Sequence, residues 1–293
     1  MKKCALWFLA SLFLVLSFSS CGNTPREQAQ IKDLFQTFPE TDEPYVLVTE
    51  DFLIVGDKQV LRSDLIYDGE LCQLIVCLED GIYAYAYASG ANRASIRILR
   101  IPYDTLEPEL VETVTAGADI RGVSYYDGGL YMKVQTTAAE KAQDPPDIFY
   151  NLATGELLTG FSLEPSQLNK GTDSLRWSRY RATCSLGAMS NRYTVTDTES
   201  GETKEITKNV LKTCPEGKAI LNHGNHKWGI TDVEPVLEKD GEIYLFSNLL
   251  DDGILGYPNH CFLLKYDFES GTATFYTWIY FEEYQDVIDF YIP

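Results

Sequence analysis

Four segments of the chain repeat one plan, the first three at a spacing of 46 or 47 residues, and that period constrains the fold more than any other feature. Each segment reads as an extended run, a turn, a second strand, a third strand ending near Asp or Asn, and a Gly turn into a fourth. The first is "QLIVCLEDGIYAYAYASG…SIRILRIPYDT…LVETV" and the second "VSYYDGGLYMKVQ…DIFYNLATGELLTG". The third is "SLRWSRYRATCSLGAMSNRYTVTDTESGETKEI" and the fourth "PVLEKDGEIYLFSN…HCFLLKYDFESGTATFY". Landmarks keep time within them: Asp80 to Asp104, Asp127 to Asn151 and Asp173 to Asp197 each span 24 residues, and Asp240 to Asp267 spans 27. About 20 extra residues separate the third unit from the fourth. The pairs Asp80-Gly81, Asp127-Gly128 and Asp240-Gly241 carry hairpin-turn chemistry. "IYAYAYA" alternates aromatic with small residues, the period of a strand. The predicted fold is all-β.

Antiparallel units of four strands at this period resemble β-propeller blades. The resemblance spans roughly residues 45 to 293, although no Trp-Asp motif, kelch double glycine or Asp-box is present. Segments 45 to 68 and 206 to 236 are then further, irregular blades, for a total of five or six. The alternative is a pair of β-sandwiches or a meandering barrel. In propellers, the connections between second and third strands and those between blades emerge on one face, which usually binds. Mapped here, that face carries the connections 135 to 147 and 247 to 259 and the segment "NHGNHKWG" at 222 to 229.

The N-terminus has a separate logic. Lys2 and Lys3 precede an apolar stretch from Ala5 to Phe18, too short to span a bilayer but suited to a signal peptide. Ser19, Ser20 and Cys21 follow, and "FSSC" resembles a bacterial lipobox, with Phe18 where Leu is usual. The resemblance covers residues 1 to 21. It implies cleavage after residue 20, diacylglycerol on Cys21, and a bacterial cell membrane on whose extracytoplasmic face the protein is anchored. Residues 21 to 44 are the expected tether, with Ile31, Leu34, Phe35 and Phe38 on one face of a short helix packed on the domain.

Charge and cysteine content narrow the partners. Losing residues 1 to 20 removes two lysines and no acids, moving the formal net charge from −19 to −21. So acidic a chain does not bind nucleic acid through phosphates. Beyond Cys4 and Cys21 stand Cys72, Cys77, Cys184, Cys214 and Cys261, an odd number that does not form a disulfide framework. On one strand Cys72 and Cys77 point to opposite faces. Cys184 with Cys214 remains possible.

Candidate chemistry gathers on the expected binding face. His223, His226 and His260 are the chain's three histidines, and three imidazoles around Zn²⁺ with an open position form a catalytic pattern. "HGNH" lacks the helix and the Glu of H-E-x-x-H. Asp251 and Asp252, before Gly253, suit a divalent cation or a plain solvent turn, without the alternating spacing of an EF-hand. Trp228 and Tyr257 offer surfaces for a ligand. No nucleophile elbow or phosphate loop is present, so no catalytic residue is nominated and no cofactor is expected beyond a possible divalent cation. The expected function is that of a membrane-anchored lipoprotein acting as a binding module for a peptide, glycan or envelope protein. Alternatives are a surface carbohydrate-active hydrolase or lyase, and an envelope sensor or transporter accessory.

Overall fold

The computed structural model describes residues 33–39, 41, 43–89, 92–135, 146–161, 163, 175–185, 191–222, 232–250, 258–281 and 287–293. The chain divides into two compact units: unit I holds residues 42–178 and 287–293, unit II residues 1–41 and 179–286. Both are built on antiparallel sheets whose neighbouring strands are mostly consecutive in sequence. The fold is all-β and propeller-like, with five such sheets of three or four strands among the described residues.

Unit I has three four-stranded sheets. The first is ordered β21 (Val287–Tyr291), β1 (Val46–Thr49), β2 (Phe52–Val55), β3 (Lys58–Leu61). The second runs β6 (Gln73–Leu78), β7 (Gly81–Ser89), β8 (Asn92–Ile101), β9 (Glu109–Thr115). The third runs β10 (Asp119–Tyr126), β11 (Gly129–Gln135), β12 (Asp147–Asn151), β13 (Leu157–Phe161). Segment 45 to 61 thus joins a fifth blade-like sheet, completed only by the last strand of the chain. Val46 pairs with Tyr291 and Leu47 with Phe290.

Strand β7 shows how the sheets pack. Ile82, Ala84 and Ala86 face a core shared with Val46, Val48, Leu53 and Val55 of the first sheet. Tyr83 and Tyr85 face a core shared with Ile120, Leu130, Met132 and Ile148 of the third. Small residues on one side and tyrosines on the other therefore meet two different neighbours. A sandwich sheet buries one face and solvates the other; this one buries both, which excludes the sandwich pair for unit I. Burial pushes the Tyr83 phenol up to about 12, aided by its hydrogen bond to Asp80.

The first strands of three sheets share a bulge. Register shifts between Leu74 and Val76, Ile120 and Gly122, and Pro235 and Leu237. In β6 the extra residue moves Ile75 and Val76 to the same side, so Cys72 and Cys77 line one core rather than opposite faces. The strict alternation expected for that run fails there. All five described cysteines are free thiols, and Cys184 alone among them is exposed.

Turn geometry follows the repeat with two departures. At Asp127-Gly128 and Asp240-Gly241 both residues have positive φ, the type I′ pattern that matches strand twist. At residues 80–81 the loop is Glu79-Asp80 instead, and Gly81 opens β7 opposite Leu78. A Cβ on Gly81 would lie 2.9 Å from the Ile101 carbonyl oxygen, so close approach of backbone accounts for this glycine. The turns at Asn151, Asp197 and Asp267, each leading into the last strand of its sheet, are alike. Each Oδ1 accepts from the amides two and three residues on, and each carbonyl from the glycine amide four residues on. In the second sheet the matching bond runs from Leu106 N to Pro102 O at 2.9 Å, with Leu106 at φ 56°. The landmark equivalent to Asn151 is therefore Pro102, two residues before Asp104.

Unit II has a three-stranded sheet, β14 (Tyr180–Ser185), β15 (Arg192–Asp197), β16 (Thr203–Ile206), and a four-stranded one, β17 (Glu234–Lys239), β18 (Glu242–Leu250), β19 (Pro258–Asp267), β20 (Thr272–Tyr280). Between them residues expected to form an irregular blade are helical instead: η2 (Lys208–Thr213) and α1 (Pro215–Asn222). Pro at the first helical position suits the helix start, and Cys214 Sγ accepts from the Gly217 amide at 3.4 Å. The tether segment 33–38 begins with one helical turn. Its Phe35 and Phe38 are buried and Leu34 half-buried; Ile31 lies outside the described residues.

Candidate functional site

The connection from β3 to β6 carries a feature that the repeat does not require. It forms η1 (Arg62–Asp64) and then a small hairpin, β4 (Ile66–Tyr67) and β5 (Glu70–Leu71). Asp68 and Gly69 make its type I′ turn, with φ of 51° and 81°. Register places Ile66 directly opposite Leu71 and Tyr67 opposite Glu70. Opposed residues share a face and neighbours alternate, so Ile66 and Leu71 make one face an apolar pair, while Tyr67 on the other packs inward against the core of unit I.

The inward face is pinned at several points. Leu65 and Cys72, which flank the hairpin, are buried in the core of unit I, and the Cys72 amide donates to the Leu65 carbonyl at 2.8 Å. Burial pushes the Cys72 thiol up to about 11. Arg62 Nη1 donates to the carbonyls of Thr49 and Glu50, both at 3.0 Å, tying η1 to the β1–β2 turn. Arg97 of β8 reaches across to Asp68 at 2.6 Å, and its guanidinium carbon lies 5.8 Å from the centre of the Tyr67 ring. The hairpin is thus held at the end of the sheets where first-sheet strands β1 and β2 turn.

The outward face is left to solvent. Ile66 is 51% and Leu71 53% exposed, and Leu61, just before η1, is 42% exposed. Half-exposed large aliphatic residues scattered singly need no explanation. Two directly opposed on a clamped hairpin form a presented surface. The same segment carries the exposed Asp64 and Asp68 and the half-buried Glu70, and Arg62 ties the exposed Glu50 to it. The sequence does contain the signal, since Asp-Gly between Tyr67 and Glu70 is a strong short hairpin pattern. A search by period passes over it because it falls between repeating units.

Of the site residues nominated from sequence, His260 alone lies among the described residues. His260 is fully buried in unit II. Its ring stacks on Phe35 of the tether at 4.7 Å and 18°, with Tyr280 at 4.8 Å and Trp278 at 6.2 Å. It occupies an aromatic core, closed against the tether. Cys21, His223, His226, Trp228, Asp251, Asp252 and Tyr257 lie outside the described residues. Among the described residues, no group of three His, Cys, Asp or Glu side chains is placed to hold a metal ion.

Unit II holds a separate charged cluster that fixes architecture. Arg179 Nε and Nη2 donate to Asp197 Oδ2 at 3.2 and 2.7 Å, and the guanidinium lies 5.2 Å from the Tyr180 ring centre. The amides of Arg179 and Tyr180 donate to the buried Glu238 carboxylate, each at 3.0 Å to Oε2. Hydrogen bonds from Arg179 above all, then from the Glu199 and Ser200 amides, hold the Asp197 carboxyl well below the usual range. Each member is committed to another, and the cluster joins the start of β14 to β15 and β17.

No protein-family model matches the chain, and no curated protein matches it. Among solved structures it is similar to one from Agrobacterium tumefaciens named "putative TolB", at 11% identity and a TM-score of 0.28, covering 81% of this chain and 89% of that one. A likeness that loose bears no weight here, and the fold assignment rests on the sheets themselves.

Proposed function

We propose that the chain is a lipid-anchored binding module of the bacterial cell envelope, and that the β4–β5 hairpin is its recognition element. The carrying observation is the clamped hairpin with Ile66 and Leu71 opposed and each about half exposed. Rigid presentation of apolar side chains lowers the ordering cost of association. Nothing in the repeat needs this hairpin, because β3 and β6 require only a connection. The anchor rests on the lipobox pattern at Cys21, and two acyl chains hold a protein stably at a membrane where one is marginal.

The test is site-specific photo-crosslinking on the membrane-bound protein in cells. A photoreactive residue at position 66 or 71 gives a discrete adduct, which disappears when the opposite residue is changed to Asp. The same probe at Glu156, an exposed turn position on another sheet, gives none. Absence of any adduct at 66 and 71, with the protein folded and present, refutes the recognition role.

A further inference from the structure

We infer that the hairpin surface docks a cationic amphipathic peptide segment of a partner protein, one with apolar residues on one side and Lys or Arg beside them. This deepens the binding-module reading and rests on it.

Charge complementarity selects this occupant. Ile66 and Leu71 supply an apolar strip, which matches the apolar side of such a segment. The rim is acidic: Glu50, Asp64 and Glu70 make no ion pair among the described residues. The two cations nearby are already committed. Arg62 donates to the Thr49 and Glu50 carbonyls, and Arg97 pairs with Asp68 and lies by Tyr67. Arg62 keeps its charge on those neutral carbonyls, but two cations against the four carboxylates Glu50, Asp64, Asp68 and Glu70 leave the segment net negative, in a protein of formal net charge −19. Acidic peptides and anionic headgroups are repelled from such a rim, and Lys or Arg flanking an apolar strip is attracted. An uncharged apolar partner would gain nothing from the rim.

The strip also has the right scale. A directly opposed pair on adjacent strands places its Cβ atoms about 5 Å apart. Side chains at i and i+2 of an extended segment, or i and i+4 of a helical one, straddle such a pair. Because Leu65 and Cys72 are buried beneath, the strip docks without rearrangement of the hairpin.

The probe is a synthetic peptide alternating Leu and Lys, compared with its Leu-Glu and Leu-Ser counterparts, added to the purified full-length protein in detergent and followed by fluorescence anisotropy. The Leu-Lys peptide is expected to bind at least tenfold tighter than either counterpart. Ile66→Ser with Leu71→Ser weakens it tenfold or more, and so does Asp64→Lys with Glu70→Lys. The control Glu156→Lys with Glu205→Lys makes the same net-charge change on other sheets and moves affinity less than twofold. Equal loss in the control and hairpin variants shows general attraction to an acidic protein and overturns the inference. So does preference for the Leu-Glu peptide, or binding to anionic lipid vesicles that depends on Ile66 and Leu71. Crosslinks at 66 and 71 in cells, without Leu-Lys preference in solution, leave the binding module standing and remove the cationic partner. Circular dichroism on each variant separates lost binding from lost folding.

Discussion

At Asp197 one side chain serves a local turn and a longer-range ion pair. Its Oδ1 accepts from the Glu199 and Ser200 amides while Oδ2 takes the Arg179 guanidinium. The ion pair requires the ionised form, whereas the turn does not, since neutral Asn151 makes the same turn bonds; Arg179 above all holds the carboxyl below its ordinary value. A depressed folded-state value adds stability that is fully present above the unfolded value of about 3.9 and is lost as pH falls through the folded one. Chemical denaturation followed from pH 7 to pH 2 should therefore show the wild type losing stability below about pH 4. Asp197→Asn is expected to be less stable than wild type at pH 7 and to lose less on acidification. An unchanged acid limb in that variant would falsify the assignment. The turn role was legible from sequence, because Asp, Ser and Gly recur at Asp197, Ser200 and Gly201 and at Asp267, Ser270 and Gly271. The partner Arg179, 18 residues upstream, was not.

Among elements, β21 and the β4–β5 hairpin depart most from the repeat. β21 comes from the end of the chain and forms the edge of the first sheet beside β1. Its Phe290 is 3% exposed and pairs with the fully buried Leu47. Phe290→Ala should destabilise unit I by about 3–5 kcal/mol, the usual cost of emptying a buried Phe site. Truncation after residue 286 should remove the ordered first sheet, read as loss of amide protection at Val46 and Val48. Native-like protection in the truncated chain would show that the strand is dispensable. Sequence patterning recovered the interior of each unit, because alternation and turn chemistry are local. It did not recover which strand lies beside β1, because that pairing joins residues 46 and 291. Helical residues 208–222 were missed for a similar reason: buried Val210, Leu211, Cys214 and Ile220 support the helix by tertiary packing over a short segment.

For the whole molecule, the anchor proposed at Cys21 decides where the hairpin works. Cys21→Ala should move the protein from the membrane fraction to the soluble fraction or leave the precursor uncleaved, checked by fractionation and metabolic labelling with an acyl-chain probe. A mutant that still matures, labels and sediments with membranes removes the anchor. The tether then enters unit II through Phe35 and Phe38, which are buried with Phe262, Phe275, Trp278 and His260. The short link from residue 21 to the first buried aromatic at residue 35 limits how far unit II lies from that anchor.

Read alone, the sequence determined the strand-rich class, the four-stranded units, most of their turns and the pattern expected of a membrane anchor. Each follows from residues near one another along the chain: alternation, Asp-Gly pairs, or an apolar run ending at a cysteine. Tertiary structure alone decided that Tyr and Ala of β7 face different cores, that Cys72 and Cys77 share one, that His260 is closed under Phe35, and that Ile66 and Leu71 stand in solvent. Those facts depend on which surfaces meet, and burial is a property of the neighbour as much as of the residue.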